Sequence, residues 1–381
     1  MELSESFLIH FTELEDPRID NHRNKRHLLS DILVLTILAV ICGAETWVDV
    51  ENFGHAKEEW LRTFLNLPHS IPSHDTIGRL FSLMDPKQLQ ACFLSWVNSL
   101  VKTQEGEIIA IDGKTLRNSY DRGGSRGALH MVSAWAVNSR LVLGQLKTED
   151  KSNEITAIPQ LLDMLDIKGA TVTLDAMGCQ KNIAEKIINK GAEYVLSLKG
   201  NQGTLHDVVK ELFAYGINNN FKRVNHTYYE ETEKDHGRIE TRQYWLVSDI
   251  NNADYQTSVQ WPGLKGIGMA CYTRQIDNDI SKDYRFYLVS FCDDAKRFAQ
   301  AARGHWNIEI NLHWSLDVSF HEDLCRVRTG HAAENFAVVR HIVLNMLKAE
   351  TSLKAGIATK RKRVGWDNRY LAKVLTSRQP T

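Results

Sequence analysis

Neither sign of charge is in excess: 46 Lys+Arg stand against 47 Asp+Glu over 381 residues. That balance excludes a histone-like, purely electrostatic nucleic-acid binder and leaves any DNA contact to local patches. The six cysteines (Cys42, Cys92, Cys179, Cys271, Cys292, Cys325) are scattered and form no CxxC pair. A zinc ribbon and a disulfide framework are therefore not expected, and a reduced, cytoplasmic protein is. The most apolar run, Ile32–Cys42, has about half of the roughly 20 residues a membrane span needs. It is expected to form a buried helix, with no membrane as partner. The opening MELSESFLIHFTELEDPR is acidic and lacks the basic start and small-residue cleavage site of a secretion signal. Internal repeats and low-complexity segments are missing as well.

What is present divides by texture. Residues 1–103 are expected to form a helical region. One helix is capped by Ser30 or Asp31 and ended by Gly43, a second covers about Val48–Leu65, a third is capped near Ser73–Asp75, and a fourth covers Pro86–Lys102. Before the first helix, His22–His27 is a small basic cluster. Strand patterns begin at Glu107–Asp112, and two more strands flank Asn138–Ser139 as a hairpin. Ser152–Asn153 is placed to cap a helix running to Asp166. Strand Ala170–Ala176, helix Gln180–Lys190, another strand at YVLSLKGNQ and a helix from about Gln202 to Tyr215 follow. Three antiparallel strands followed by αβ units predict an α/β fold with a mixed sheet flanked by helices. Residues 218–292 are β-rich and read as an insertion packed beside that sheet. Helices return at Ala295, and residues 351–381 form a basic tail carrying Lys360–Arg363, beside Trp366.

The stretch Ala301–Asp323 concentrates chemistry. His305, Glu309, His313 and Asp317 stand four residues apart, a spacing that stacks them on one helix face. Trp306, Ile310 and Trp314, with Ile308, Leu312 and Leu316, are expected to supply the apolar side that buries the helix. Asp112 ends the first strand and Asp175 the fourth, on strands expected to lie side by side, with Glu309 packing over the same edge. Three such carboxylates can hold two Mg²⁺ or Mn²⁺ ions about 3.5–4 Å apart, activating a water or hydroxyl on one side and stabilising a leaving oxygen on the other. For any one strand-end aspartate a turn or helix cap is the simpler role; the constellation carries the reading.

The strings IDGKTLRNSY, KTEDKSNEITAIPQLL, LDAMGCQ, LSLKGNQ, HGRIETR and GHWNIEINLHWSLDVSFHEDLCRVRTGHAAENFAVVRH resemble the H-repeat-associated transposase family. This is the ISAs-type group of insertion-sequence transposases, with an Asp–Asp–Glu active site on an RNase H-like fold. LPHSIPSHDTIGRLF is similar to that family's associated N-terminal domain. The resemblance covers about residues 14 to 350. It implies an RNase H-like catalytic domain over 104–350, interrupted by the β-rich insertion ahead of the last catalytic residue. It assigns Asp112, Asp175 and Glu309 as metal-binding catalytic residues, Mg²⁺ (or Mn²⁺) as cofactor, and double-stranded DNA as partner: the element's terminal inverted repeats and a target, handled by a homodimer on DNA. Lys114, Lys199, Asn201, His305 and His313 take supporting phosphate roles. Related transposases carry Tyr and Arg before the glutamate and Lys after it; the matching positions here are Ala302, His305 and Leu316, and Ile310 stands where a polar Asn is expected.

Three other readings stay open at this point: a catalytically silent DNA-binding remnant, a stand-alone Mg²⁺-dependent nuclease, and a mononuclear zinc site through His305, Glu309 and His313. The last suffers from reach, since residues on successive turns span about 12 Å. A His305–Glu309 pair acting at a phosphate fits the helix better.

Overall fold

The computed structural model describes residues 5–19, 25–100, 105–120, 127–148, 154–222, 224–235, 237–248 and 261–377. Ser152–Asn153 and much of the His22–His27 cluster lie outside them. After a short helical turn α1 (Glu5–Leu8), four helices form the N-terminal region: α2 (Leu29–Ile41), α3 (Trp47–Leu61), α4 (His74–Leu83) and α5 (Pro86–Leu100). Their starts follow different rules. Thr46 and Asp49 close a reciprocal capping box on α3, and Ser73 accepts from the Thr76 N–H to cap α4. Helix α2 has no side-chain cap; the predicted cap Asp31 is buried inside it and accepts from the Leu67 N–H at 2.8 Å. Asp31 thus ties α2 to the loop before α4 rather than starting the helix.

The second region is one nine-stranded sheet: β1 (Ile108–Leu116), β2 (Leu129–Ala136), β3 (Leu141–Thr148), β4 (Thr171–Leu174), β5 (Glu193–Leu198), β6 (His226–Asp235), β7 (Arg238–Val247), β8 (Gly266–Ile276) and β9 (Asp279–Val289), in the order β3-β2-β1-β4-β5-β9-β8-β7-β6. Strands β1–β3 run antiparallel, β1, β4 and β5 pair in parallel, and β9 closes antiparallel on β5. The β-rich insertion therefore does not pack beside the sheet. Its strands extend the sheet through Val195↔Val289 to Leu198↔Phe286. An exposed edge on β5 would leave backbone donors and acceptors unpaired, and β9 satisfies them.

Helices α6 (Glu154–Met164), α7 (Lys181–Asn189), α8 (Gly203–Asn218), α9 (Ala295–Ile308) and α11 (Ala332–Ala349) accompany the sheet, and the short α10 (Trp314–Phe320) follows α9. The predicted hairpin forms, its turn held by buried Glu107, which accepts from the Asn138 and Ser139 N–H groups. Helix α11 packs on α2, α4 and α5, so one apolar core runs from the N-terminal helices into the sheet. The basic tail folds too, as α12 (Ile357–Trp366) and α13 (Asn368–Thr376). Lys360 and Arg361 are buried, donating to the Leu347 and Val40 carbonyls, so half of that charge run is spent inside the fold. Among the described residues no helix is long and apolar enough to cross a membrane.

Candidate active site

The parallel β1–β4 register, Ile111↔Leu174, sets Asp112 beside Asp175, the residue that follows the end of β4. Asp112 does not end its strand as expected: β1 outruns β4 and continues to Leu116 because β2 keeps pairing with it on the other side. Their sequence neighbours keep the space around them tight. A Cβ on Gly113 would lie 2.3 Å from Glu154 Oε1 and 2.5 Å from His130 Nε2, so only glycine lets β1 pass the buried His130–Glu154 pair directly after Asp112. Asp175 Oδ1 accepts from the Met177 and Gly178 N–H groups at 2.9 and 3.1 Å, and Asn201 donates to the Ala176 carbonyl at 2.6 Å. Asn201 thus braces the loop that holds Asp175.

Glu309 arrives from the other side. Helix α9 packs across β1 and β4 and does not continue as a regular α-helix: Glu309–His313 is a five-residue π turn that leads into α10. The extra residue changes which side chains face the sheet. His313 Nδ1 lies 3.6 Å from Asp112 Oδ2 and 3.5 Å from Glu309 Oε2. His305 Nδ1 is 3.2 Å from Thr173 Oγ1. Asp317 turns instead to Lys114 Nζ, which also donates to buried Glu322 at 2.9 Å. The four-residue stripe is therefore split, and the partner of Glu309 is His313, not His305. Trp306, Ile310 and Trp314 are 45%, 63% and 61% exposed, against the expectation that they bury the helix. Of the six, Ile308, Leu312 and Leu316 are the ones that face the core, together with Phe298 and Phe320.

Asp112, Asp175, Glu309, His305 and Lys199 line one cleft of about 530 Å³, joined by Arg285 and Trp306. Arg285 was not legible in the sequence. It is brought in because β9 pairs with β5 up to Leu198↔Phe286, which sets residue 285 beside the residue after β5. Its guanidinium sits over the Trp306 ring, 4.8 Å from the centroid, and its Nε donates to Asp283 at 2.9 Å. Lys114 does not open on this cleft; its ammonium is enclosed by Asp317 and Glu322.

The electrostatics of the site are those of a cation receptacle. Burial, then the nearby negative charges of Glu309 and Asp175, push the Asp112 carboxyl well above the usual carboxylate range. Glu309 is held low by its contact with His313. Burial lowers the His305 imidazole, favouring its neutral form. One ligand atom each from Asp112, Glu309 and His313 lie within 4.8 Å of one another, a possible metal-binding group. Ligands about 2.1 Å from a hard dication stand about 3–4.2 Å apart, so small side-chain rotations close the set. Asp175 stands outside that trio, on the adjacent strand end, with its second carboxylate oxygen free of the turn bonds that hold Oδ1.

Residues 103–346 match the family model "Transposase DDE domain", and residues 8–97 match "DDE_Tnp_1-associated". The chain belongs to the DDE transposase family. It is 45% identical to "H repeat-associated putative transposase YhhI" of Escherichia coli (strain K12) over 92% of each chain. It is 44% identical to "Putative transposase YncI" of Escherichia coli O157:H7 over 95% of this chain and 92% of that one. These matches set it in the H-repeat-associated branch of that family. A solved structure of the piggyBac transposase synaptic complex with hairpin DNA aligns with 99% of this chain and 85% of its own at a TM-score of 0.44 and 10% identity, a likeness too distant to argue from.

Proposed function

We propose that this DDE transposase cuts DNA at the ends of its own element and joins the freed 3′-hydroxyl to a target, using divalent metal ions held by Asp112, Asp175 and Glu309. The observation that carries this reading is the meeting of half-buried Asp112 and Asp175 with exposed Glu309 in one cleft, where partial burial and then the crowding of negative charge raise the Asp112 carboxyl. Carboxylates arranged so that they repel one another are stabilised by a bound cation, and hard oxygen donors select Mg²⁺ or Mn²⁺. Two such ions would supply activation of the attacking oxygen and charge neutralisation at the scissile phosphate.

The chain's own groups have distinct tasks. Asp112 spans the two halves of the site, facing Glu309 and His313 from the middle of β1, and Asp175 adds a second carboxylate just past the end of β4. His313 Nδ1 donates to the carboxylates when it carries the proton; with the proton on Nε2 it offers a lone pair to a metal. Lys199 and Arg285 stand along the cleft as cations for a DNA phosphate, and Trp306 gives that cleft an apolar face. Lys114 serves the site from behind by fixing Asp317 and Glu322 against β1. The enzyme acts on duplex DNA, as a homodimer when two ends are brought together.

The test is cleavage of labelled duplexes carrying the DNA that flanks this gene, with Mg²⁺ or Mn²⁺. Nicking at the element end by the wild type, reduced at least about a thousandfold in Asp175→Asn, is the expected result. A wild type that binds the duplex and never nicks it would replace this reading with that of a silent DNA-binding protein.

A further inference from the structure

A second cleft lies away from the carboxylates, where the N-terminal helices meet the segment after α10. It encloses about 520 Å³ between the first turns of α3 and α4 and residues 326–329. Three arginines line it: Arg79 from α4, and Arg326 and Arg328 from the facing segment. Among the described residues none of the three is paired with a carboxylate at ion-pair distance, unlike Arg62, Arg242, Arg297 or Arg303. Among the described residues Asp75 is the one carboxylate lining the cleft, and it lies 3.6 Å from His74.

The cleft is built, not incidental. Gly330 has a φ of +54°, and a Cβ there would lie 2.5 Å from the Ser82 carbonyl oxygen, while the His331 N–H donates to that same oxygen at 3.0 Å. These contacts pin the arginine segment to the end of α4. Arg328 is oriented by its Nε bond to the Asn118 carbonyl at 2.7 Å and by stacking over Tyr120, which leaves Nη2 enclosed without a partner. An enclosed guanidinium donor with no acceptor is costly unless a ligand or water supplies one. The first turns of α3 and α4 border the same space at Thr46–Val48 and His74–Asp75, but their N–H groups at Thr46 and His74 are already taken by Asp49 and Glu51, so the arginines are what the cleft offers a ligand.

The cleft also connects to the active site through neighbouring contacts. From Asp112, β1 continues to Lys114, bound to Glu322, then Arg117, 3.2 Å from Asp323, then Asn118, which donates to the Asp323 carbonyl and accepts from Arg328. The second half of β1 and the residues after it thus lead from the carboxylates to the arginines, with the exposed Arg117 between them. We propose that this cleft is a second DNA-backbone site: Arg79, Arg326 and Arg328 bind consecutive phosphates of the duplex arm that extends from the cleavage site toward the N-terminal helices. The inference rests on the DNA-processing reading above and assigns a place to DNA that the carboxylate cleft does not reach. Guanidinium groups recognise phosphate in two-point contacts, and such contacts set register and affinity rather than base choice.

The experiment measures binding of a fluorescent duplex to the full chain as a function of salt, for the wild type, Arg79→Gln/Arg326→Gln, and Lys168→Gln/Lys190→Gln. The last pair removes the same charge from the opposite end of the sheet. Two lost phosphate contacts lower the slope of log K against log salt by about 1.8. We expect that change, with affinity reduced at least about tenfold at moderate salt, in the arginine variant alone. An unchanged slope in that variant, while the wild type binds with a clear salt dependence, overturns the cleft assignment and leaves the DNA reading intact. A wild type that does not bind duplex DNA at any salt overturns both. Equal losses in the two variants indicate bulk charge and overturn the assignment as well. Coincident thermal unfolding of the three proteins confirms that the fold is kept.

Discussion

At the residue scale the decisive group is Asp112. Its carboxyl is raised because burial and two neighbouring carboxylates oppose its charge. A raised folded-state value means the protonated fold is favoured, so stability falls as pH rises through that value. Without metal, Asp112→Asn is therefore expected to raise the thermal midpoint at neutral pH by a few degrees, at about 1 °C per kcal/mol for a chain of this length. The same variant is expected to lose the stabilisation that Mn²⁺ gives the wild type. A thermal-shift series with chelator and then Mn²⁺ checks both, and a variant that is less stable than the wild type in chelator would oppose the assignment. His341 gives the opposite sign. Buried on α11, its imidazole is pushed down to about 4, chiefly by burial. The unfolded chain takes up a proton near pH 6.5 and the folded chain does not, so stability is complete above pH 6.5 and is lost progressively toward pH 4. His341→Gln is expected to flatten that acid limb, by on the order of 3 kcal/mol at full effect, read from denaturant midpoints at pH 7 and pH 5.

At the scale of elements, the joint between α9 and α10 matters most. The π turn at Glu309–His313 lets the chain present Glu309 and His313 together to Asp112 while Asp317 is handed to Lys114. Lys114 then forms the bolt between β1 and α10, and Glu322, although burial opposes its charge, is kept ionised by Lys114 and Arg340. Breaking such a buried pair from one side leaves a charge without compensation. Lys114→Met is expected to cost about 3–5 kcal/mol, and adding Glu322→Gln to recover much of it. Chemical unfolding of Lys114→Met, Glu322→Gln and the double variant measures this coupling; losses that simply add would mean that Lys114 and Glu322 act separately.

For the whole molecule, the insertion strands continue the catalytic sheet and α11 shares its core with α2, α4 and α5. The N-terminal helices therefore do not form an appended module joined by a free linker. We expect the full chain to unfold in one transition, and a chain starting at residue 105 to lose near-ultraviolet circular dichroism and precipitate. Two separate calorimetric transitions would show independent units instead.

Periodicity and chain order made the helices, the hairpin at Asn138–Ser139, the adjacency of β1 and β4 and the nearness of Asp112 and Asp175 legible, because these follow from local spacing, whereas the length of β1 beyond Asp112 depends on its pairing with β2. The family wording did the same for membership among the DDE transposases. The insertion's strands were legible as strands, but their junction with β5 depends on which edge lacked backbone partners. The facing of Trp306, Ile310 and Trp314 depends on how α9 meets the sheet and on a π turn that a fixed four-residue spacing does not encode. The same holds for cations: Lys360, Arg361 and Lys114 look solvated in sequence, and only packing shows that carbonyls and carboxylates take them up while Arg79, Arg326 and Arg328 find no acidic partner among the described residues. Local order thus decided which elements form and which carboxylates share a sheet edge. The tertiary structure decided which charges are spent on the fold and which face a ligand, because that depends on neighbours as many as hundreds of residues away in the chain.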